Sequence, residues 1–154
     1  MFRLNRLTDY AVVVMTRMTD RPDDVHTAPQ IATDTGIPLP TVAKLLNALA
    51  RESLVLSHRG AAGGYTLGRP AGEVSVAEII QAMEGPIALT ACVEGSGHHC
   101  EVECLCPMRG NWDQVNQAIH DALSAVTLAD MATSRWRMFA PLDETAVTAD
   151  PRDL

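Results

Sequence analysis

The sequence predicts a mainly α fold: a winged helix-turn-helix unit, then a cysteine-rich loop, then one long helix. Three observations carry this. Two helix-patterned stretches meet around Gly36 with the spacing of a helix-turn-helix. A pair of short strands around a glycine-rich tip follows directly, between Leu54 and Leu67. Apolar residues then recur at alternating steps of four and three from Met108 to Val126, the seam of a helix that packs along a partner. The implied organisation is a winged-helix domain over 1–84, a cysteine-rich loop over 85–106, a long-helix region over 107–132 and a tail over 133–154.

The first helix is expected over 9–19, capped by Thr8 or Asp9, with Tyr10, Val14 and Met18 at spacing four. Val12-Val13-Val14 pulls toward a strand. A polar loop, 20–26, leads to a second helix. Thr27 and Gln30 form its capping box, Pro29 lies in its first turn, and Gly36 ends it. The third helix runs from about Pro40 to Glu52. Val42, Leu45, Leu46 and Leu49 make its buried stripe, and Thr41, Lys44, Ala48 and Arg51 lie opposite.

The glycine-tipped strands place His58 and Arg59 near the tip of a wing. A guanidinium there suits a minor groove while the third helix occupies the major groove of an operator duplex. Winged helices also serve as protein-interaction modules, and that alternative stays open. No nucleotide-binding fingerprint accompanies the glycines. The net charge of −7 looks wrong for a nucleic-acid binder. Its distribution matters more: residues 1–84 carry net −1 and residues 85–154 net −6, so the first part can still present a basic face.

Ser75 and Glu78 make another capping box, opening a helix through Val76, Ile79, Ile80 and Met83 that Gly85-Pro86 stops. The long helix is expected from Pro107 to about Val126, spanning roughly 30 Å. Its seam through Trp112, Val115, Ile119 and Ala122 fits a two-fold homodimer, the alternative being the chain's own core. Thr127 and Asp130 open a short final turn, and the acidic tail from Ala140 reads as disordered.

All four cysteines, Cys92, Cys100, Cys104 and Cys106, fall within fifteen residues, among glycines, glutamates and His98-His99. Such a segment cannot bury itself, and thiolates around a metal centre would order it. No Cys-x-x-Cys turn is present. Cys104 and Cys106 are two apart and point to opposite sides of an extended segment, so one of them is expected not to bind the shared centre. Cys106 is preferred, because Pro107 suits the first position of a helix that would then have Cys106 as its N-cap. A disulfide, a structural zinc and free thiols are the alternatives. The opening residues lack a leader's apolar stretch, and the longest apolar run, Tyr10 to Met15, is too short to span a membrane. The expectation is a cytoplasmic protein without a membrane partner, where clustered cysteines favour metal or redox roles. No nucleophile–base or paired acid–base constellation suggests an enzyme.

Over residues 2–132 the chain resembles the IscR-like iron–sulfur regulators, most closely the branch that regulates the SUF assembly system. The residues that carry the resemblance are Leu7-Thr-Asp-Tyr-Ala11, His58-Arg-Gly-Ala-Ala-Gly-Gly-Tyr65, Glu84-Gly-Pro-Ile87 and Cys106-Pro-Met-Arg-Gly-Asn-Trp112. The resemblance implies an iron–sulfur cluster, 2Fe-2S or 4Fe-4S, on Cys92, Cys100 and Cys106, with Cys104 as an extra cysteine. A histidine that some relatives use as fourth ligand is missing here. Other relatives take a carboxylate from the partner subunit, and Asp9 matches that position. DNA contacts are implied at Pro40, Thr41, Ala43, Lys44 and Arg59. Pro40 and Ala43 lack the polar groups some relatives have there. The expected protein is a homodimeric repressor of cluster-assembly genes, whose cluster sets its affinity for DNA. Its competitors are a zinc- or thiol-based redox regulator and a metal-stabilised protein-interaction module that binds no DNA.

Overall fold

The computed structural model describes residues 3–93, 96, 107–108 and 110–139, with backbone alone for 134–139. Helix α1 is Arg6–Met18, three residues longer at its start than the apolar spacing suggests. Asn5 is its N-cap and accepts a hydrogen bond from the Leu7 N–H at 3.1 Å. Neither Thr8 nor Asp9 caps it. Thr8 is fully buried within the first turn, and its hydroxyl donates to Glu84 Oε1. The same oxygen accepts from the Asn5 N–H at 2.9 Å, a contact across 79 residues that no local pattern announces. Asp9 lies exposed in the first turn, where a carboxylate complements the helix dipole. The valine run is helical because Val14 and its neighbours Ala11, Met15 and Met18 are needed as one buried stripe, and packing overrides strand propensity.

Helices α2 (Ala28–Thr35) and α3 (Leu39–Arg51) form the helix-turn-helix. The Thr27–Gln30 capping box is present in both directions. Gly36 takes φ 72°, where a side chain would be strained, and its N–H closes on Ala32 O at 2.9 Å. Arg17, at the end of α1, bridges Asp20 at 2.8 Å and Asp34 at 2.7 Å, tying α2 to α1. Val42, Leu45, Leu46 and Leu49 bury α3 against this pair.

Strands β1 (Val55–His58) and β2 (Gly64–Leu67) pair antiparallel, from Val55 opposite Leu67 to His58 opposite Gly64. His26 adds a bridge to Tyr65 through two backbone hydrogen bonds of 2.8 Å. A Cβ on Gly63 would stand 2.5 Å from the His58 carbonyl oxygen, and one on Gly64 2.6 Å from that of His26. The glycine pair is therefore required by close backbone approach at the base of the wing tip.

A single 3-10 turn, Ala71–Glu73, precedes α4 (Val76–Glu84), whose Ser75–Glu78 capping box is present and which Gly85 ends. Helix α5 is Asn111–Ser124, with Gly110 as N-cap in the left-handed conformation. The expected start at Pro107 is thus four residues early. Pro107 lies outside the helix, and Cys106, which lies outside the described residues, is not its N-cap. Helix α6, Leu128–Phe139, replaces the expected short turn. Thr127 and Asp130 do cap it: Asp130 Oδ2 accepts from the Thr127 N–H at 2.9 Å, and the Asp130 N–H donates to Thr127 Oγ1 at 3.1 Å.

This last helix returns to the first domain. Leu128 is fully buried in the core with Met15, Leu45 and Ile79. Ser75 and Thr127 form an isolated bridge, with Val76 N–H to Val126 O at 2.9 Å and Leu128 N–H to Val74 O at 2.8 Å. A boundary at 133 would cut through α6. The tail from Ala140 lies outside the described residues.

Candidate nucleic-acid interface and cysteine loop

Two prolines shape the start of α3. Pro38 is its N-cap without a side-chain hydrogen bond, and Pro40 lies in its first turn with φ pre-set for helix. Because the stripe Val42–Leu49 is buried, the opposite face must point outward. Pro40, Lys44, Asn47 and Arg51 are exposed there, and Thr41 and Ala43 are half-buried on its flanks. Asn47 is a polar residue on the exposed face that stripe-reading passed over. Its spacing of three from Lys44 could have found it.

The wing carries His58 and Arg59, both exposed. His58 Nε2 lies 2.9 Å from Thr66 Oγ1 on the opposite strand, which holds the imidazole across the hairpin. Arg59 begins the tip, where Gly60 at φ 107° turns the chain. A cationic helix face and a cationic wing tip therefore flank the helix-turn-helix, on a domain of near-neutral charge.

Of the proposed cluster ligands, Cys92 and Asp9 are described. Cys100 and Cys106 lie outside the described residues, as does Cys104. Cys92 is a half-buried free thiol whose Sγ lies 3.1 Å from Thr90 Oγ1. It follows Ala91, whose carbonyl accepts from the Ser96 hydroxyl at 2.8 Å. The approach to it is fastened to α5: Asn116 Oδ1 accepts from the Leu89 N–H at 3.1 Å, and Asn116 Nδ2 donates to Ile87 O at 2.8 Å. The start of that approach, Glu84, is the residue that holds the beginning of α1. No three metal-ligating side chains converge among the described residues.

The proposed dimer residues all lie on α5, which buries none of its residues in the single chain. Trp112 is 38% exposed and Val115 45%; Ala122 is exposed too, and Ile119 is half-buried. Met108 and Val126, the two ends of the seam, fall outside the helix and are also exposed. In the single chain the seam residues of α5 are thus exposed or half-buried rather than buried in the core. No helix among the described residues is long and apolar enough to cross a membrane.

Comparison with known proteins agrees with this geometry. Residues 4–134 match the family described as Rrf2, iron-dependent transcriptional regulator. A protein of Mycobacterium tuberculosis, named for an HTH-type transcriptional regulator, is 30% identical over 131 residues, covering 84% of this chain and 81% of that one. A Neisseria meningitidis protein named in the same way is 34% identical over 127 residues, covering 80% and 84%. Among solved structures, CymR, the global cysteine regulator of B. subtilis, superposes with TM-score 0.68 at 25% identity, covering 87% of this chain and 98% of CymR. IscR of T. potens superposes with TM-score 0.69 at 23% identity, covering 94% and 96%, which speaks for the fold. The winged-helix fold, the DNA-binding regulator class and the absence of an enzymatic role all follow from the family rather than from any single residue. This chain belongs to the Rrf2 family of iron-dependent transcriptional regulators.

Proposed function

We propose that the chain is a homodimeric repressor of iron–sulfur assembly genes, of the SUF-regulating kind, whose operator affinity follows the state of a bound cluster. The observation that carries this reading is the double anchorage of the segment leading to Cys92. Glu84 ties its start to the first turn of α1, and Asn116 ties Ile87 and Leu89 to α5. Cys92 is a free thiol, a soft donor of the kind iron–sulfur centres use, and three more cysteines follow within fourteen residues. This donor set fits the group. Cys92, Cys100 and Cys106 would hold a 2Fe-2S or 4Fe-4S cluster, with the partner subunit's Asp9 as fourth ligand and Cys104 spare. Asn5 does the capping of α1, which leaves the Asp9 carboxylate exposed and without a capping role. Bound there, the cluster would supply chemistry that iron supply or oxidants can undo.

In this reading Pro40, Thr41, Ala43 and Lys44 meet the major groove, and His58 and Arg59 meet the adjacent minor groove. Trp112, Val115, Ile119 and Ala122 form the two-fold seam. A cluster shared between α1 of one subunit and the loop of the other favours one arrangement of the two DNA-binding domains, and only such a preference can alter affinity. The likeness to a named cysteine regulator favours a second reading, a zinc- or thiol-based redox regulator using Cys104 and Cys106.

Purification without oxygen separates the two. The proposed function requires a brown protein with iron and sulfide, kept in Cys104→Ala and lost in Cys92→Ala, Cys100→Ala and Cys106→Ala. A colourless protein with stoichiometric zinc would establish the second reading instead.

A further inference from the structure

The start of α3 is short of groups that read bases by hydrogen bonds. Pro40 and Ala43 have no polar side-chain atom, and Lys44 is the single cation between Leu39 and Ala50. Arg51 is the first arginine on the helix, so its first three turns lack the commonest base contact, a guanidinium forked onto guanine. Beside Thr41, Lys44 and Asn47, the start of the helix presents apolar groups. Leu39 is 44% exposed, Pro40 is exposed beside it, and Ala43 stands one turn further along the same flank.

A lone exposed leucine is ordinary on a protein surface. Leu39 differs by its place. It is the first residue of α3, it lies outside the buried stripe of Val42, Leu45, Leu46 and Leu49, and it sits where side chains of this kind of helix meet base edges. The apolar group on the major-groove edge of DNA is the thymine 5-methyl.

We infer that Leu39, with Pro40 and Ala43 beside it, is a specificity-determining surface that reads thymine methyl groups. It deepens the reading in which α3 enters the major groove and is independent of the cluster. A methyl seated on Leu39 removes apolar surface from water on both partners. Cytosine in its place would lack the methyl and set an amino donor, where thymine has its O4, beside an apolar surface that offers it no acceptor. The half-site therefore carries thymine under the start of α3, while Lys44 supplies charge.

The test starts from an operator that the full-length protein selects from random duplexes. Each thymine of the half-site is then replaced by deoxyuridine, which removes the methyl alone, and affinity is measured at fixed salt. One or two positions should lose about three- to fivefold, the scale of burying one methyl-sized group. That loss should vanish in Leu39→Ala and persist in Lys44→Ala. A half-site without thymine, a flat uracil series, or a uracil effect unchanged in Leu39→Ala would each overturn the inference. Failure to enrich any sequence would instead refute the docking of α3 on DNA.

Discussion

Asn116 on α5 grips Leu89 and Ile87 through both ends of its side-chain amide, accepting at 3.1 Å and donating at 2.8 Å. The pairing imitates one rung of a β-ladder, made by a side chain. It sits three residues before Cys92 and next to Val115 of the exposed seam, so one residue joins α5 to the approach of the cysteine loop.

Asn116→Ala leaves the Leu89 N–H and Ile87 carbonyl without this partner, at a cost of about 1–3 kcal/mol if they stay unsatisfied. Helix α5 should persist, because Asn116 is not a cap. The expected result is a severalfold faster bleaching of the visible spectrum in air, with helical circular dichroism unchanged. Asn116→Asp, which keeps the acceptor and turns an oxygen toward Ile87, should not rescue it. Unaltered bleaching in both variants would contradict a positioning role.

The seam on α5 predicts the oligomeric state. Val115→Asp combined with Ile119→Asp sets carboxylates where a partner's apolar side chains would meet them. The single chain buries no residue of α5, so the monomer should remain folded. Light scattering should show the monomer mass. A folded dimer of wild-type affinity would mean the seam has been misplaced.

The elements legible in the sequence are those whose signal is local. The capping boxes Thr27–Gln30 and Ser75–Glu78, the turn at Gly36 and the stripe of α3 each lie within a few residues, and each is in place. The start of α1 was misread because its decisive partner, Glu84, is 79 residues away. With Glu84 as acceptor, Thr8 can be buried within the helix and Asn5 is left to cap it. Pro107 suggested a helix start that Gly110 sets instead, since a proline favours a first turn without requiring one. Helix α6 was missed because its anchor, Leu128, packs on residues far away in sequence.

Arg59→Ala should weaken operator binding by about 1–3 kcal/mol if its guanidinium reads a base edge. Lys44→Ala should weaken it uniformly across sequences and lower the salt dependence by about one phosphate contact. Anisotropy titrations at two salt concentrations distinguish the pair. Wild-type affinity in both would refute the docking of α3 and wing.

Glu78 links pH to stability. Its largest influence, burial, acts to raise its pKa. Hydrogen bonds from the Ser75 N–H, from Arg69 and from the Ser75 hydroxyl, with the charge of Arg69, outweigh it and hold the carboxyl below 4.5. A depressed value in the folded state means that the stabilisation is present above about pH 4.5 and is lost as pH falls through the folded value. Glu78 is over a third exposed, so solvent screening keeps the contribution under about 1 kcal/mol. Urea titrations of wild type and Glu78→Gln should therefore differ at pH 7 and converge toward pH 3. A gap that stays constant with pH would contradict the linkage.

In the proposed function cluster state sets operator affinity, which a pair of titrations can read. The selected operator is titrated with protein purified without oxygen, then with the same preparation after its iron has been removed by chelation under reducing conditions. The starting protein should be brown, and its affinity should change at least about tenfold, or about 1.4 kcal/mol, on iron removal. Equal affinities before and after, with the iron shown to be gone, would contradict it.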